Sequence, residues 1–102
     1  MRTMIRFKFP VDPGNDIIRT GKIGKVFEQL MDLSETIPSI EDYVSGPNNS
    51  PEGKSDGYSH GFIMTFADVT ARDAYLPHPE HKRFQAEALP YVESVIVFDF
   101  EL

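Results

Sequence analysis

The sequence predicts a small α+β domain in which a strand, a helix, two strands, a divided helix and a last strand follow one another. Four short segments have the composition of strands, at 3–9, 39–45, 58–66 and 94–100. Residues 16–34 instead carry apolar residues at three- and four-residue spacing, which is the period of a helix. A chain of 102 residues has the length of one domain, so we expect 1–102 to form a single unit.

The first strand and the first helix are both predicted by the spacing of their apolar residues. One face of the strand is expected to carry Thr3, Ile5, Phe7 and Phe9. Pro10 and the turn-forming residues 12–15 end the strand. The helix is expected to bury a stripe made of Ile23, Val26, Phe27, Leu30 and Met31.

A long polar connection separates the two middle strands. The second strand is centred on Ile40, Tyr43 and Val44, and the loop 45–57 that follows is rich in Gly, Pro, Asn and Ser. A connection of this length in a small domain is typically functional or mobile. One face of the third strand is expected to carry Tyr58, His60, Phe62, Met64 and Phe66.

Capping residues predict the divided helix. Asp68 is a good N-cap for a short helix that ends near Tyr75. His78 is expected at the cap of the next helix, because Pro79 suits a first helical position. Pro90 is expected to stop that helix.

The order βαββαβ is that of the ferredoxin-like fold, a four-stranded antiparallel sheet with helices on one face. In the last strand, Val95 and Val97 face one way, and Ile96, Phe98 and Phe100 face the other. Both faces are therefore apolar, and both should be covered. Because the chain's own helices cover one face, a second sheet is expected to cover the other. This predicts a two-fold homodimer with a barrel-like centre, a dimeric α/β barrel.

Composition excludes several classes of function. The formal net charge is −6 and the basic residues are scattered, which argues against nucleic acid and an anionic membrane surface as partners. There is no cysteine, so disulfides, thiolate catalysis and iron–sulfur clusters are excluded. No segment has the apolar length of a signal peptide or a membrane span, and we expect a cytoplasmic protein. No phosphate-binding glycine loop is present, and no cofactor is predicted.

Several short motifs occur in an order typical of one family. They are Phe7-Lys8-Phe9, Ile37-Pro38, Gly46-Pro47-Asn48, Gly57-Tyr58-Ser59-His60, Tyr75, His78-Pro79-Glu80-His81, Phe84 and Phe98-Asp99. With these motifs the chain resembles the stress-responsive α/β-barrel domain family, also called the dimeric α/β-barrel or Dabb family. The resemblance spans nearly the whole chain. It implies a ferredoxin-like homodimer with a central barrel.

The resemblance implies less about activity, because most members of the family have no established reaction. One plant member is a polyketide cyclase that closes a ring by aldol chemistry without metal or cofactor. Its catalytic Tyr and His match Tyr75 and His81, and its further pocket histidines match His60 and Thr3, where a histidine is lost. Its pocket-lining positions match Ile5, Phe7, Val26, Phe27, Leu30, Phe62, Val92, Val95 and Val97. These positions are apolar here but differ in size, so the substrate need not be shared.

The residues themselves allow two interpretations of the pair matched to the catalytic Tyr and His. His81 is expected in the first turn of a helix, where the positive end of the dipole disfavours an imidazolium and favours a neutral general base. The Tyr75 hydroxyl could then donate to a carbonyl that becomes an enolate. Alternatively, His81 packs within the helix turn and Tyr75 is a core aromatic residue with one hydrogen-bonded hydroxyl.

Other polar side chains have structural alternatives as well. His60 lies on an apolar strand face, where a histidine is more often a hydrogen-bonded core residue than a ligand. Asp99 shares the face of Val95, and if buried there it needs a partner, for which a pocket histidine is a candidate. A metal site built from His60, His78, His81 and Asp99 is the weaker alternative, since His78 precedes proline and is expected to point away.

These observations predict a homodimer that binds a small apolar or aromatic molecule in a pocket between sheet and helices. The alternative is a cofactor-independent enzyme, a polyketide-cyclase-like protein or a lyase, with His81 as general base and Tyr75 as acid. A third hypothesis, a structural subunit of a larger assembly, predicts no pocket wide enough for a ligand.

Overall fold

The computed structural model describes residues 1–10 and 16–101 and has the predicted order of elements. The strands are β1 (Arg2–Lys8), β2 (Ile40–Pro47), β3 (His60–Phe66) and β4 (Ser94–Phe100). The helices are α1 (Asp16–Thr36), α2 (Val69–Tyr75) and α3 (Pro79–Ala88), and a 3₁₀ turn (Leu89–Tyr91) follows the last of them. The predicted turn at 12–15 lies outside the described residues. The ferredoxin-like fold class is therefore confirmed.

The four strands form one antiparallel sheet in the order β2-β3-β1-β4. Residues directly opposite each other in neighbouring strands point to the same face of a sheet. Thr3 lies between Met64 and Asp99, and Ile5 lies between Phe62 and Val97. This register fixes one face, the helix-facing side, on which the predicted site residues of three strands lie.

Helix α1 covers that face, and its buried stripe differs from the predicted stripe at Met31. The buried residues of the stripe are Ile23, Val26, Leu30 and Leu33, and Ile37 directly after the helix is buried as well. Met31 was expected among them, but 54% of its surface is exposed. Each residue advances a helix by about 100°, so Met31 lies a quarter-turn from the fully buried Leu30. Phe27 is partly buried and packs against the edge of the core.

The connection between β2 and β3 differs from the prediction at both ends. Strand β2 continues to Pro47, and β3 begins at His60 rather than at Tyr58. Tyr58 is held out of the ladder because Gly57 has a φ of 81° and the Tyr58 N–H donates to the Ser55 carbonyl at 3.0 Å. A turn that ends at Tyr58 therefore delays the start of the strand, although the Ser59 N–H already donates to the Phe7 carbonyl of β1 at 3.0 Å.

The predicted caps of the divided helix are confirmed. The Asp68 carboxylate accepts a hydrogen bond from the Ala71 N–H at 2.9 Å, at the start of α2. Ring nitrogen Nδ1 of His78 accepts one from the Glu80 N–H at 3.1 Å, and Pro79 occupies the first turn of α3. Helix α3 ends at Ala88 and Pro90 lies in the 3₁₀ turn, as expected of a residue that cannot continue a helix.

Strand β4 is an edge strand, and it is less covered than expected. Its Val95 and Val97 were expected to line a pocket between sheet and helices, but Val97 is 58% exposed on the helix-facing side, and Phe98 is 61% exposed on the other side. The reason is the strand order, since α1 packs mainly at the β2 side of the sheet. Within residues 1–10 and 16–101, no helix has the length and apolar character that a membrane crossing requires.

Candidate functional site

The site predicted at Tyr75 and His81 is built at the junction of α2 and α3. Tyr75 is the last residue of α2, and His81 lies in the first turn of α3; both side chains are buried. The link between the two helices is short, so the ring centroids of Tyr75 and His81 lie 4.1 Å apart with an angle of 32° between the planes. The structure therefore brings together the two residues that were predicted to act as a pair.

A backbone carbonyl determines the protonation of the His81 ring. Nδ1 of His81 lies 3.0 Å from the carbonyl oxygen of Leu76. A carbonyl oxygen only accepts hydrogen bonds, so Nδ1 must carry a proton and donate. In the neutral ring the lone pair is then on Nε2. His81 is thereby prepared to accept a proton or a hydrogen bond through Nε2.

The electrostatic environment of the pair favours the neutral form of both groups. Burial lowers the pKa of His81 below its ordinary value of 6.5, the bond to the Leu76 carbonyl opposes this, and nearby His78 lowers the pKa further. Burial also raises the pKa of the Tyr75 hydroxyl, whose ring packs on Phe66 at 5.2 Å. At neutral pH the pair therefore offers an acceptor, the imidazole, and a donor, the phenol.

A second polar group lies on the sheet beneath α2. Oδ2 of Asp99 forms a salt bridge with Nη1 of Arg72 at 2.5 Å. Asp99 was expected to need a partner, and a pocket histidine was one candidate; the partner is instead an arginine of α2. Arg72 precedes Tyr75 by three residues, so the two lie on the same side of the helix. In the sequence this arginine precedes Tyr75 by one helical turn, which is a signal of a cation close to the predicted pair.

Two buried oxygen atoms near this salt bridge have no hydrogen-bond partner among the described residues. They are Oγ1 of Thr3 and Oδ1 of Asp99, and the two residues are direct neighbours across β1 and β4. Thr3 is only 5% exposed. Buried oxygens of this kind are normally paired with protein, water or ligand. Thr3 and its neighbour Asp99 therefore retain unmet hydrogen-bonding capacity.

His60 lies away from the Tyr75–His81 pair. It begins β3, whereas Phe66, which contacts Tyr75, ends the same strand. Six residues of strand span about 20 Å. The His60 ring lies against Phe9 and Phe27, at 5.4 and 5.5 Å between centroids, and its Nδ1 is 2.8 Å from the Ser59 hydroxyl. His60 is thus a hydrogen-bonded residue at the far end of the helix-facing side.

The apolar positions predicted to line a pocket divide into two groups. Most belong to the core or pack against it: Phe7, Val26, Leu30, Phe62, Ile5, Phe27 and Val92. Val95 and Val97 of β4 are instead exposed. Over the described part of the chain, no three side chains of His, Asp or Glu come together in a way that could hold a metal ion.

Comparison with known proteins gives consistent results. A family model described as "Stress responsive A/B Barrel Domain" matches residues 4–102. Olivetolic acid cyclase of Cannabis sativa is 27% identical over 85 residues, which cover 83% of this chain and 84% of the cyclase.

Two solved structures share the fold over almost the whole chain. A crystal structure of an Arabidopsis thaliana protein superposes with a TM-score of 0.86 and 25% identity, covering 99% of this chain and 93% of the other. A protein of unknown function from Jannaschia, described as dimeric and ferredoxin-like, has a TM-score of 0.81 and 26% identity. The superposition covers 99% of this chain and 97% of the Jannaschia protein.

Proposed function

The chain belongs to the stress responsive A/B barrel domain family, and from this premise we propose that it is a homodimer that binds a small, mainly apolar or aromatic molecule between its sheet and its helices. The polar end of the ligand contacts Tyr75 and His81. The observation that carries the proposal is the buried pair itself, in which the Leu76 carbonyl assigns the His81 proton to Nδ1. The pair thus presents one donor and one acceptor in an otherwise apolar region.

The chemistry of the pair selects a class of ligand. A phenol or enol can donate to Nε2 of His81, while a carbonyl oxygen can accept from the Tyr75 hydroxyl. The helix-facing side of β1, β3 and β4 supplies apolar contacts through Ile5, Phe62 and Val97, which lie side by side in the sheet. A phenolic or β-keto compound with an apolar body matches this arrangement.

The homodimer is supported by the opposite face of the sheet. Val44, Ile63, Met4 and Phe98 form a continuous apolar row across all four strands on that helix-free face. Val44 and Phe98 are largely exposed in the single chain. An apolar row of this kind is typical of a surface that a second copy covers. The structural relative from Jannaschia is described as dimeric.

A second candidate function is a cofactor-independent proton transfer. Nε2 of His81 would remove a proton next to a carbonyl, and the Tyr75 hydroxyl would stabilise the developing enolate oxygen. The hydrogen bond from Nδ1 to Leu76 favours this candidate, because a base needs its lone pair free and its tautomer fixed. The similarity to olivetolic acid cyclase is consistent with it.

One experiment tests the binding proposal. The histidine signals of the protein are followed by NMR during titration with 2,4-dihydroxyacetophenone, which is both a phenol and a ketone. We expect the His81 signal to shift saturably, and Tyr75→Phe to weaken binding about two- to tenfold, the cost of one hydrogen bond. Tyr91→Phe is the matched control, since Tyr91 is exposed in the 3₁₀ turn. An unmoved His81 signal, or equal loss in both variants, contradicts the proposal.

The same samples distinguish a binder from an enzyme. Exchange of the acetyl protons of 2,4-dihydroxyacetophenone for deuterium in D₂O measures proton removal next to the carbonyl. An enzyme accelerates this exchange above the buffer rate and loses the acceleration in folded His81→Gln. A binder shifts the His81 signal without changing the exchange rate.

A further inference from the structure

Helix α2 is held on the sheet by a small number of side chains. Its residues are Val69–Tyr75; Tyr75 is buried and Ala71 packs partly buried against the core. Helices shorter than about 12–15 residues are only marginally stable by themselves in water. The orientation of α2, and with it the position of Tyr75, therefore depends on the contacts that its side chains make with the sheet.

Two of these contacts lie on different strands. The Tyr75 ring packs on Phe66 at the end of β3, whereas Arg72 reaches Asp99 on the edge strand β4. Strand β1 lies between β3 and β4. Neighbouring strands are about 4.8 Å apart, so the two contacts are separated by roughly 10 Å across the sheet. Two contacts at this separation fix the rotation of α2 about its own axis.

The salt bridge between Arg72 and Asp99 is partly shielded from water. The two side chains are 19% and 25% exposed, so salt screens their attraction less than that of a surface pair. The Asp73 carboxylate accepts a second bond, from Nε of Arg72 at 2.8 Å. Within residues 1–10 and 16–101, the Asp99 carboxylate has no hydrogen-bond partner besides Arg72, and its Oδ1 is buried and unpaired. Asp99 therefore depends on Arg72 for its place on the sheet.

The turn of α2 that begins at Arg72 also carries the two groups that define the site. Tyr75 follows Arg72 by one helical turn. The Leu76 N–H donates to the Arg72 carbonyl at 3.3 Å, and the Leu76 carbonyl accepts from Nδ1 of His81. A rotation of α2 would therefore displace the Tyr75 hydroxyl and the Leu76 carbonyl together. Because polar groups of a binding site must be placed within roughly 0.5 Å, a small rotation is enough to weaken both contacts.

We propose that Arg72 and Asp99 are positioning residues of the Tyr75–His81 pair. Their salt bridge fixes the rotation of α2 that directs the Tyr75 hydroxyl toward a bound ligand and the Leu76 carbonyl toward Nδ1 of His81. Arg72 and Asp99 act through the helix and do not touch the ligand. The inference rests on the function proposed above, in which Tyr75 and His81 contact the polar end of the ligand.

The first test needs no ligand. The variant Arg72→Ala/Asp99→Ala removes the link and leaves neither charge buried without its partner, so its fold is retained. In ¹⁵N NMR of the His81 ring at pH 7.5, a proton on Nδ1 is distinguished from a proton on Nε2. We expect mainly the Nδ1 tautomer in the parent and a mixture of the two tautomers in the variant. An unchanged Nδ1 tautomer in the variant would overturn the proposal.

The second test asks whether Tyr75 still contributes to binding without the salt bridge. In the parent, Tyr75→Phe is expected to weaken binding of 2,4-dihydroxyacetophenone about two- to tenfold. In Arg72→Ala/Asp99→Ala the same change should cost less than about twofold, because a displaced hydroxyl no longer donates to the ligand. Equal fold-losses in the two backgrounds would show that the salt bridge and Tyr75 act independently, which also overturns the proposal.

Another arginine–carboxylate pair provides the matched control. Arg83→Ala/Glu80→Ala removes an exposed ion pair from α3, the helix that carries His81. It should change neither the His81 tautomer nor the cost of Tyr75→Phe; the same changes in this control would contradict a specific role for Arg72. A parent that does not bind 2,4-dihydroxyacetophenone contradicts the proposed function alone. The tautomer of the free protein then still decides whether the salt bridge positions the pair.

Discussion

At the scale of single residues, hydrogen-bond partners decide what the polar side chains can do. His81 and Tyr75 were identified from a motif, but the tautomer of His81 follows from one contact, the bond from Nδ1 to the Leu76 carbonyl. Asp99 shows the same dependence, because its partner is Arg72 rather than a histidine. A motif gives the type and position of a residue; the neighbouring atoms give its proton and its charge.

Burial of His81 predicts a dependence of stability on pH. In the folded protein the pKa of His81 is lowered from 6.5, chiefly by burial. As the pH falls below about 6.5, the unfolded chain therefore binds a proton before the folded protein does. We expect the contribution of His81 to the free energy of unfolding to be complete above pH 6.5 and to decrease as the pH falls through its folded pKa. NMR titration of the His81 ring gives that pKa directly.

A variant separates this contribution from those of the carboxylates. In His81→Asn the side-chain amide nitrogen takes the position of Nδ1, so it can still donate to the Leu76 carbonyl, but it cannot titrate. Urea unfolding of both proteins between pH 7.5 and pH 5 should show a steeper loss of stability in the parent. A His81 midpoint at or above 6.5 would contradict the assignment of a buried, neutral imidazole.

At the scale of elements, caps and apolar spacing were predictive because they depend on neighbours within one or two helical turns. Asp68 and His78 cap α2 and α3 as expected. The error at Met31 has the same local origin, because a broad apolar stripe on α1 does not reveal which edge the sheet contacts. Leu33 belongs to the buried core, whereas Met31 is exposed.

The Asp68 cap is expected to stabilise α2 through its side-chain oxygen. Asp68→Ala removes the oxygen that accepts the Ala71 N–H, and it should lower the free energy of unfolding by about 0.5–2 kcal/mol. Asp68→Asn retains a side-chain oxygen and should lose much less. Urea unfolding measures both. Equal losses in the two variants would show that the charge of Asp68, and not its cap, stabilises the helix.

At the scale of the whole molecule, strand β4 exposes apolar residues on both faces of the sheet. Phe98 ends the apolar row on the helix-free face, whereas its neighbour Val97 lies on the helix-facing side. Their exposures are similar, 61% and 58%. The two residues therefore form a matched pair with which the two faces can be tested separately.

We expect Phe98→Asp to convert the proposed homodimer into an 11.6 kDa monomer in sedimentation experiments. A carboxylate within an apolar interface loses its hydration without gaining a partner, which opposes association. Val97→Asp should leave the dimer intact while weakening binding of an apolar ligand on its own face. Dissociation of the dimer by Val97→Asp alone would place the interface on the helix-facing side of the sheet and would contradict the proposed homodimer.

The sequence by itself determined the order of elements, the caps, the residues on each strand face and the family motifs. These depend on local periodicity and on residue types, which the chain carries in full. The tertiary structure alone decided the strand order that places β4 at the edge, the Arg72–Asp99 salt bridge, and the separation of His60 from Tyr75 along β3. Such features depend on contacts between elements, and local patterns do not specify which elements become neighbours.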